Sequence, residues 1–209
     1  KAIQDQRAPI SHLTVTNKTV QFNIESDCWV DYQTFQEIAG KFLHTQNPPF
    51  QSQEDELELL THAANLYKGE FLEGFAIDNS VGFEHWIRQK RELIDRQTIM
   101  ILHRLAILNE TNRKYDLAEQ YTRRLIELEP YDEKARQNLM RLLVIKGQRP
   151  AALMHYDEYR RFLIDELGVE PAQETTSLYQ DIWGDHLARS EIKPQQLPGI
   201  IDHPTLARD

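Results

Sequence analysis

The apolar positions of this chain follow two different rhythms. In HLTVTNKTVQFNI (12–24) they recur at every second residue. Leu13 and Val15 alternate with Thr14 and Thr16, and Val20, Phe22 and Ile24 alternate with Gln21 and Asn23. Alternation gives a strand one apolar face, and Asn17-Lys18 between the runs, with Asn able to take a positive φ, predicts a short β-hairpin. A two-stranded hairpin is marginal alone, so it must pack on another element or belong to a larger sheet.

From Asp31 onward the spacing changes to three and four, the period of amphipathic helices. Asp31 reads as an N-cap for a helix over 32–43 with Phe35, Ile38, Ala39 and Phe42 on one face. NPPF (47–50) breaks that pattern. Ser52 followed by Asp55 resembles a capping box, with Asp where Glu or Gln is usual. It opens a helix over 53–67 marked by Leu57, Leu60, Ala64 and Tyr67. Asp78-Asn79-Ser80 offers the next N-cap, before a long helix over 81–109. Phe83, Trp86, Ile87, Ile94, Ile101, Leu105 and Leu108 form its stripe.

Four further helices are expected over 115–128, 132–146, 150–167 and 173–187. Pro130, Gly147, Pro150, Gly168 and Pro171 punctuate them at positions that suit helix ends. Residues 190–209 carry three prolines and no helical period, and read as a linker.

The later helices repeat. Ala118 and Ala152 lie 34 residues apart, and Leu105 and Leu139, and the turns at Arg113 and Gly147, keep the same offset. That period in a helix–turn–helix unit is the tetratricopeptide signature. A small residue early in the second helix lets it approach the first, and a larger one four positions on fills the space between repeats. The predicted fold class is therefore all-α: a tetratricopeptide-like helical superhelix of about seven helices with a short N-terminal β-hairpin. Two repeats need neighbours to bury their faces, and the earlier helices supply them. In tetratricopeptide register His103, Lys134, Gln137 and Arg141 point into the concave groove and are candidate partner contacts.

Composition narrows the function. The chain is 40% hydrophobic and 27% charged, as an ordinary globular domain is, and its net charge of −9 disfavours non-specific nucleic-acid binding. Residues 1–80 hold 5 basic and 12 acidic side chains, whereas 81–171 hold 16 and 15. The arginine pairs Arg123-Arg124 and Arg160-Arg161, and Arg88 with Arg91, are read first as helix-surface ion pairs and second as a basic face for a partner. One cysteine, Cys28, permits no intrachain disulfide and points to a reduced, cytoplasmic setting. No run approaches a membrane span. The opening KAIQDQRAP points to a piece of a longer protein.

No zinc-protease helix, phosphate loop or nucleophile elbow is present in the sequence. Glu84 and His85 are adjacent and diverge by about 100° on a helix. His62 and His155 read as surface or internally satisfied residues. No catalytic residue, metal ligand, cofactor or small-molecule substrate is expected.

The remaining motif is YKGEFLEGF (67–75), followed by FEHWIRQKREL (83–93). With RRLIELEPYDEKARQNLMRLL (123–143), KGQRPAALMHYDEYRRFL (146–163) and ELGVEPAQETTSLY (166–179) it resembles the bacterial transcriptional activator domain, over about residues 31–183. That domain occurs in Streptomyces antibiotic regulatory protein-type and related large regulators. The resemblance implies a tetratricopeptide-type helical domain that follows a winged helix-turn-helix domain. It also implies family-signature packing roles for Tyr67, Gly69, Phe71, Leu72, Gly74, Phe75, Phe83, Trp86, Pro130, Leu139, Ala152, Gly168 and Pro171. Gly69 is expected to end one helix and Gly74 to turn the chain, while Phe71, Leu72 and Phe75 plug the corner.

The expected organisation is a tail and hairpin over 1–30, a remnant of the winged domain. An activator domain over 31–189 and a linker over 190–209 to a further C-terminal module follow. The expected function is that of a non-catalytic activation and interaction domain of a larger DNA-binding regulator. Its partners would be RNA polymerase, the parent's own regulatory modules or a second protomer, with DNA met only through the winged part. The alternative is a tetratricopeptide scaffold that holds an acidic peptide through Lys134 and Arg141, with no transcriptional role.

Overall fold

A computed structural model describes residues 10–17, 19–23, 25–43, 52–77 and 80–184. Strands β1 (Leu13–Val15) and β2 (Val20–Phe22) pair antiparallel, with Leu13 opposite Phe22 and Thr14 opposite Gln21. Thr16 and Thr19 close the turn through backbone and hydroxyl bonds. Val15 and Phe22 stay 66% and 43% exposed, so the hairpin leaves apolar side chains facing solvent. The expected turn residue Lys18, Ile24, the break at 47–50, Asp78-Asn79 and the tail beyond Gly184 lie outside the described residues.

Seven helices follow among the described residues: α1 (Asp31–Leu43), α2 (Gln53–Leu66), α3 (Val81–Thr111), α4 (Tyr115–Leu128), α5 (Glu133–Ile145), α6 (Arg149–Leu167) and α7 (Gln173–Trp183). Consecutive helices pack in order, and α5 also meets α7. Helix α1 begins at Asp31 itself, whose carboxylate accepts from the Tyr32 N–H at 2.7 Å. Ser52 caps α2 as expected, accepting from the Asp55 N–H at 3.1 Å. Asp132 caps α5 by accepting from the Ala135 N–H at 3.0 Å.

The 34-residue period is visible atom by atom. The Lys114 N–H bonds to the Asn109 carbonyl at 2.8 Å, and the Gln148 N–H bonds to that of Leu143 at 2.8 Å. Arg113 to Glu110 and Gly147 to Val144, both 2.9 Å, repeat the pattern. Arg113 has φ 57° and Gly147 φ 77°, so both repeats turn through the left-handed region that closes a helix. Ala118 and Ala152 are fully buried at the start of the second helix of each pair, which gives close helix–helix approach its room. Leu105, Leu139, Leu142 and Leu143 are also buried, each contributing about 2 kcal/mol through lost apolar surface. The result is a tetratricopeptide-like stack: α3 with α4, α5 with α6, then α7.

Candidate protein-interaction surface

The four groove candidates sit on α3 and α5, and the fold uses them unequally. His103 on α3 meets Asp132, the cap of α5, with Nε2 and Oδ2 2.9 Å apart. Burial pushes the Asp132 carboxyl up, but the His103 contact and the Ala135 N–H outweigh it and hold the group below the usual carboxylate range. Gln137 Nε2 donates to Thr175 Oγ1 at 2.8 Å, and that hydroxyl donates to Glu133. Glu133 also accepts from the Ala172 N–H at 3.0 Å, so one α5 carboxylate caps the start of α7. His103 and Gln137 therefore tie α3 to α5 and α5 to α7.

Lys134 and Arg141 differ. Lys134 is exposed, with its ammonium unpaired among the described residues. Arg141 is half-buried and makes no hydrogen bond or ion pair among the described residues. Burial draws its guanidinium down from the usual range, and the Glu110 charge opposes that. Burial likewise pushes the Glu110 carboxyl up, against Arg141 and Asn138. Arg141 lines an open depression of about 520 Å³ with Gln173, Glu174, Ser177, Leu178 and Asp181 of α7.

The signature corner departs from expectation at three residues. Helix α2 stops at Leu66, because Tyr67 already takes an extended backbone (φ −77°, ψ 103°). Gly69 therefore does not end the helix; it lies in the following turn with no positive φ. Gly74 does turn the chain, at φ 73°. Leu72 and Phe75 do not plug the corner: they are 41% and 53% exposed. Leu72 itself has φ 51°, a left-handed turn that leaves its side chain outside the core. Phe71 does pack, against Tyr32 at 5.2 Å and Trp86 at 6.1 Å between ring centroids. Phe75 touches Phe83 at 5.7 Å, and Trp86 remains 42% exposed. Leu139, Ala152 and Pro171 are buried, and Gly168 closes α6 at φ 68°.

What holds the corner was not visible in the motif. Arg91 of α3 donates to the Phe71 and Leu72 carbonyls at 2.8 and 3.0 Å and pairs with Glu70 at 3.2 Å. Arg124 of α4 donates to the Tyr67 carbonyl. Tyr67 Oη donates to Asp95 at 2.8 Å, and burial, with that bond, pushes its phenol up to about 12. Arg123 and Arg160 are taken up by Glu119 and Glu170. Most of the arginines thus serve the fold itself. Buried Glu56 and partly exposed Arg104 form a two-bond pair at 2.6 and 2.9 Å between α2 and α3, which sequence spacing gave no sign of.

Among the described residues no three His, Cys, Asp or Glu side chains are grouped to hold a metal, and no helix is long and apolar enough to cross a membrane. A chain of stacked helix pairs, tied along one face by polar contacts, defines a helical-repeat scaffold. The chain belongs to the bacterial transcriptional activator domain family, whose model matches residues 30–183. That family is a non-catalytic regulatory domain. No curated protein sequence matches the chain.

Proposed function

We propose that this chain is the activation and protein-interaction part of a larger bacterial DNA-binding transcription regulator. The family match over 30–183 carries this reading, and the stack of rigid helix pairs supports it, because such a stack presents side chains at fixed spacing. The partner is RNA polymerase, a second protomer or another module of the parent. The hairpin over 13–22 belongs, in this reading, to a winged DNA-reading domain, whose remaining surface would cover Val15 and Phe22. Residues 190–209 lead to a further module.

The alternative, a scaffold for an acidic peptide, has less support. A uniformly acidic peptide that reached Arg141 would also meet Glu174 and Asp181, which share its depression. In the full-length parent, substitutions on the exposed face of α5 and α7 should lower transcription from the target promoter while promoter occupancy stays constant. Equal loss of occupancy and transcription would assign these helices to DNA binding instead.

A further inference from the structure

We propose that the depression between α5 and α7 docks a helical segment of a partner protein, one that carries a single carboxylate flanked, about one turn away on each side, by basic residues. This rests on the interaction-domain reading above and names the chemistry of the partner.

The depression presents alternating charge. Glu174 and Asp181 are exposed and seven residues apart on α7, which places them about 10 Å apart along the helix. Ser177 and Leu178 lie between them on the same face. Glu133 bonds to Ala172 and Gln137 to Thr175, so α5 runs alongside α7 in the same direction and Arg141 falls level with the stretch between Glu174 and Asp181: the charges along the depression run negative, positive, negative.

Arg141 has a specific need that a partner can meet. Its guanidinium offers five N–H donors in a planar fork. It is half-buried, yet no acceptor among the described residues bonds to it. Its counter-charge, Glu110, is itself 5% exposed and leaves Oε2 without a hydrogen-bond partner. No direct bond joins the two groups, so the fork is left for an incoming carboxylate, its best geometric match.

The flanking acids restrict what brings that carboxylate. A uniformly acidic segment would meet Glu174 and Asp181, and a uniformly basic one would meet Arg141; like-charge contact penalises both. A helix with basic residues at i and i+7 and a carboxylate at i+3 or i+4 repeats the α7 spacing and places opposite charge at all three points. Leu178 supplies an apolar floor.

The test uses a helical peptide of about 20 residues, long enough to hold a helix, with Lys, Glu and Lys at i, i+3 and i+7. Its binding to the full 209-residue chain is followed by fluorescence anisotropy. Arg141→Gln should weaken binding about tenfold, and changing the peptide Glu to Gln should do the same, with no further loss when the two are combined. Glu174→Gln and Asp181→Asn should each cost about threefold, less at high salt. Thermal melting checks that Arg141→Gln is folded. The exposed double variant E174K/D181K gives an independent arm: it should lose this peptide and gain one with Glu at all three positions.

The proposal is overturned if the two losses multiply, if the Lys–Gln–Lys peptide binds as tightly, or if no peptide binds. Should the peptide fail while the domain still activates transcription, the docking geometry is wrong and the functional reading stands. Should the peptide bind as described while activation is absent, the reverse holds.

Discussion

Between Leu105 and Ile182 the helices meet through fully buried aliphatic residues, and two successive turns repeat the same hydrogen bonds 34 residues apart. Between Tyr67 and Trp86 no aromatic side chain is fully buried and Leu72, Phe75, Ile77 and Trp86 stand about half in solvent, and the chain path is fixed by arginines reaching in from α3 and α4. The first region is built by burial and can be repeated. The second is built by satisfying carbonyls, and occurs once. A repeat tolerates surface change as long as its small and large buried positions keep their spacing. At the corner Leu72 and Phe75 contribute little burial, and the path depends on side chains from elsewhere.

The contrast predicts a wide gap between two substitutions of similar size. Leu139→Ala, in the fully buried repeat core, should destabilise by about 2–5 kcal/mol in chemical denaturation. Leu72→Ala, in the signature motif, should stay within about 0.5 kcal/mol. Similar values for the two would erase the distinction.

Acid sensitivity offers a second probe of the repeat half. His155 is buried, and burial, then Arg136 and Arg123, press its imidazole down from 6.5 to about 4. The folded state therefore holds His155 neutral while the unfolded chain takes up a proton. Stability falls as the pH drops from about 6.5 to about 4 and changes no further through this group below that, for a total of about 3 kcal/mol at most. Asp132 and Glu119, held below their ordinary range, add losses at lower pH, and Glu110, raised, works the other way. The difference between the wild-type chain and His155→Gln isolates the imidazole: the variant should lose less stability over that window.

The two equivalent turns provide a finer comparison. Arg113 holds a left-handed backbone that the next repeat gives to Gly147. Arg113→Gly should stabilise by about 0.5–1 kcal/mol, and Gly147→Ala should destabilise by about 1 kcal/mol. Two changes of the same sign would mean the turns are not equivalent.

The repeat half was legible in the sequence because its determinants are local and recur. A buried alanine at 118 and 152 and a turn residue at 113 and 147 mark the same places twice. The cap at Ser52 was legible for the same reason, since a cap acts on an N–H three residues away, whereas Asp132 was read as the first residue of its helix and proves to be its cap. The corner was only half legible. Gly74 announced its turn, but the bonds that Arg91 and Arg124 make across 20 and 57 residues leave no local trace. Large aromatics there suggested a plug, whereas Phe75 and Trp86 are left facing outward. At the groove, tetratricopeptide register named His103 on α3 and Lys134, Gln137 and Arg141 on α5. It did not show that Asp132 and Thr175 would engage His103 and Gln137, or that α7 would bring Glu174 and Asp181 beside Arg141.

In the function proposed above, this helical stack recruits a protein partner to raise transcription and does not itself read DNA. Residues 10–184 joined to an unrelated DNA-binding domain, in a bacterial strain carrying that domain's operator before a reporter, test it most directly. Reporter expression should rise well above that of the DNA-binding domain alone, be lost in Leu139→Ala and be retained in Leu72→Ala. Expression no higher than with the DNA-binding domain alone, from a fusion shown to be folded and bound at the operator, would contradict it.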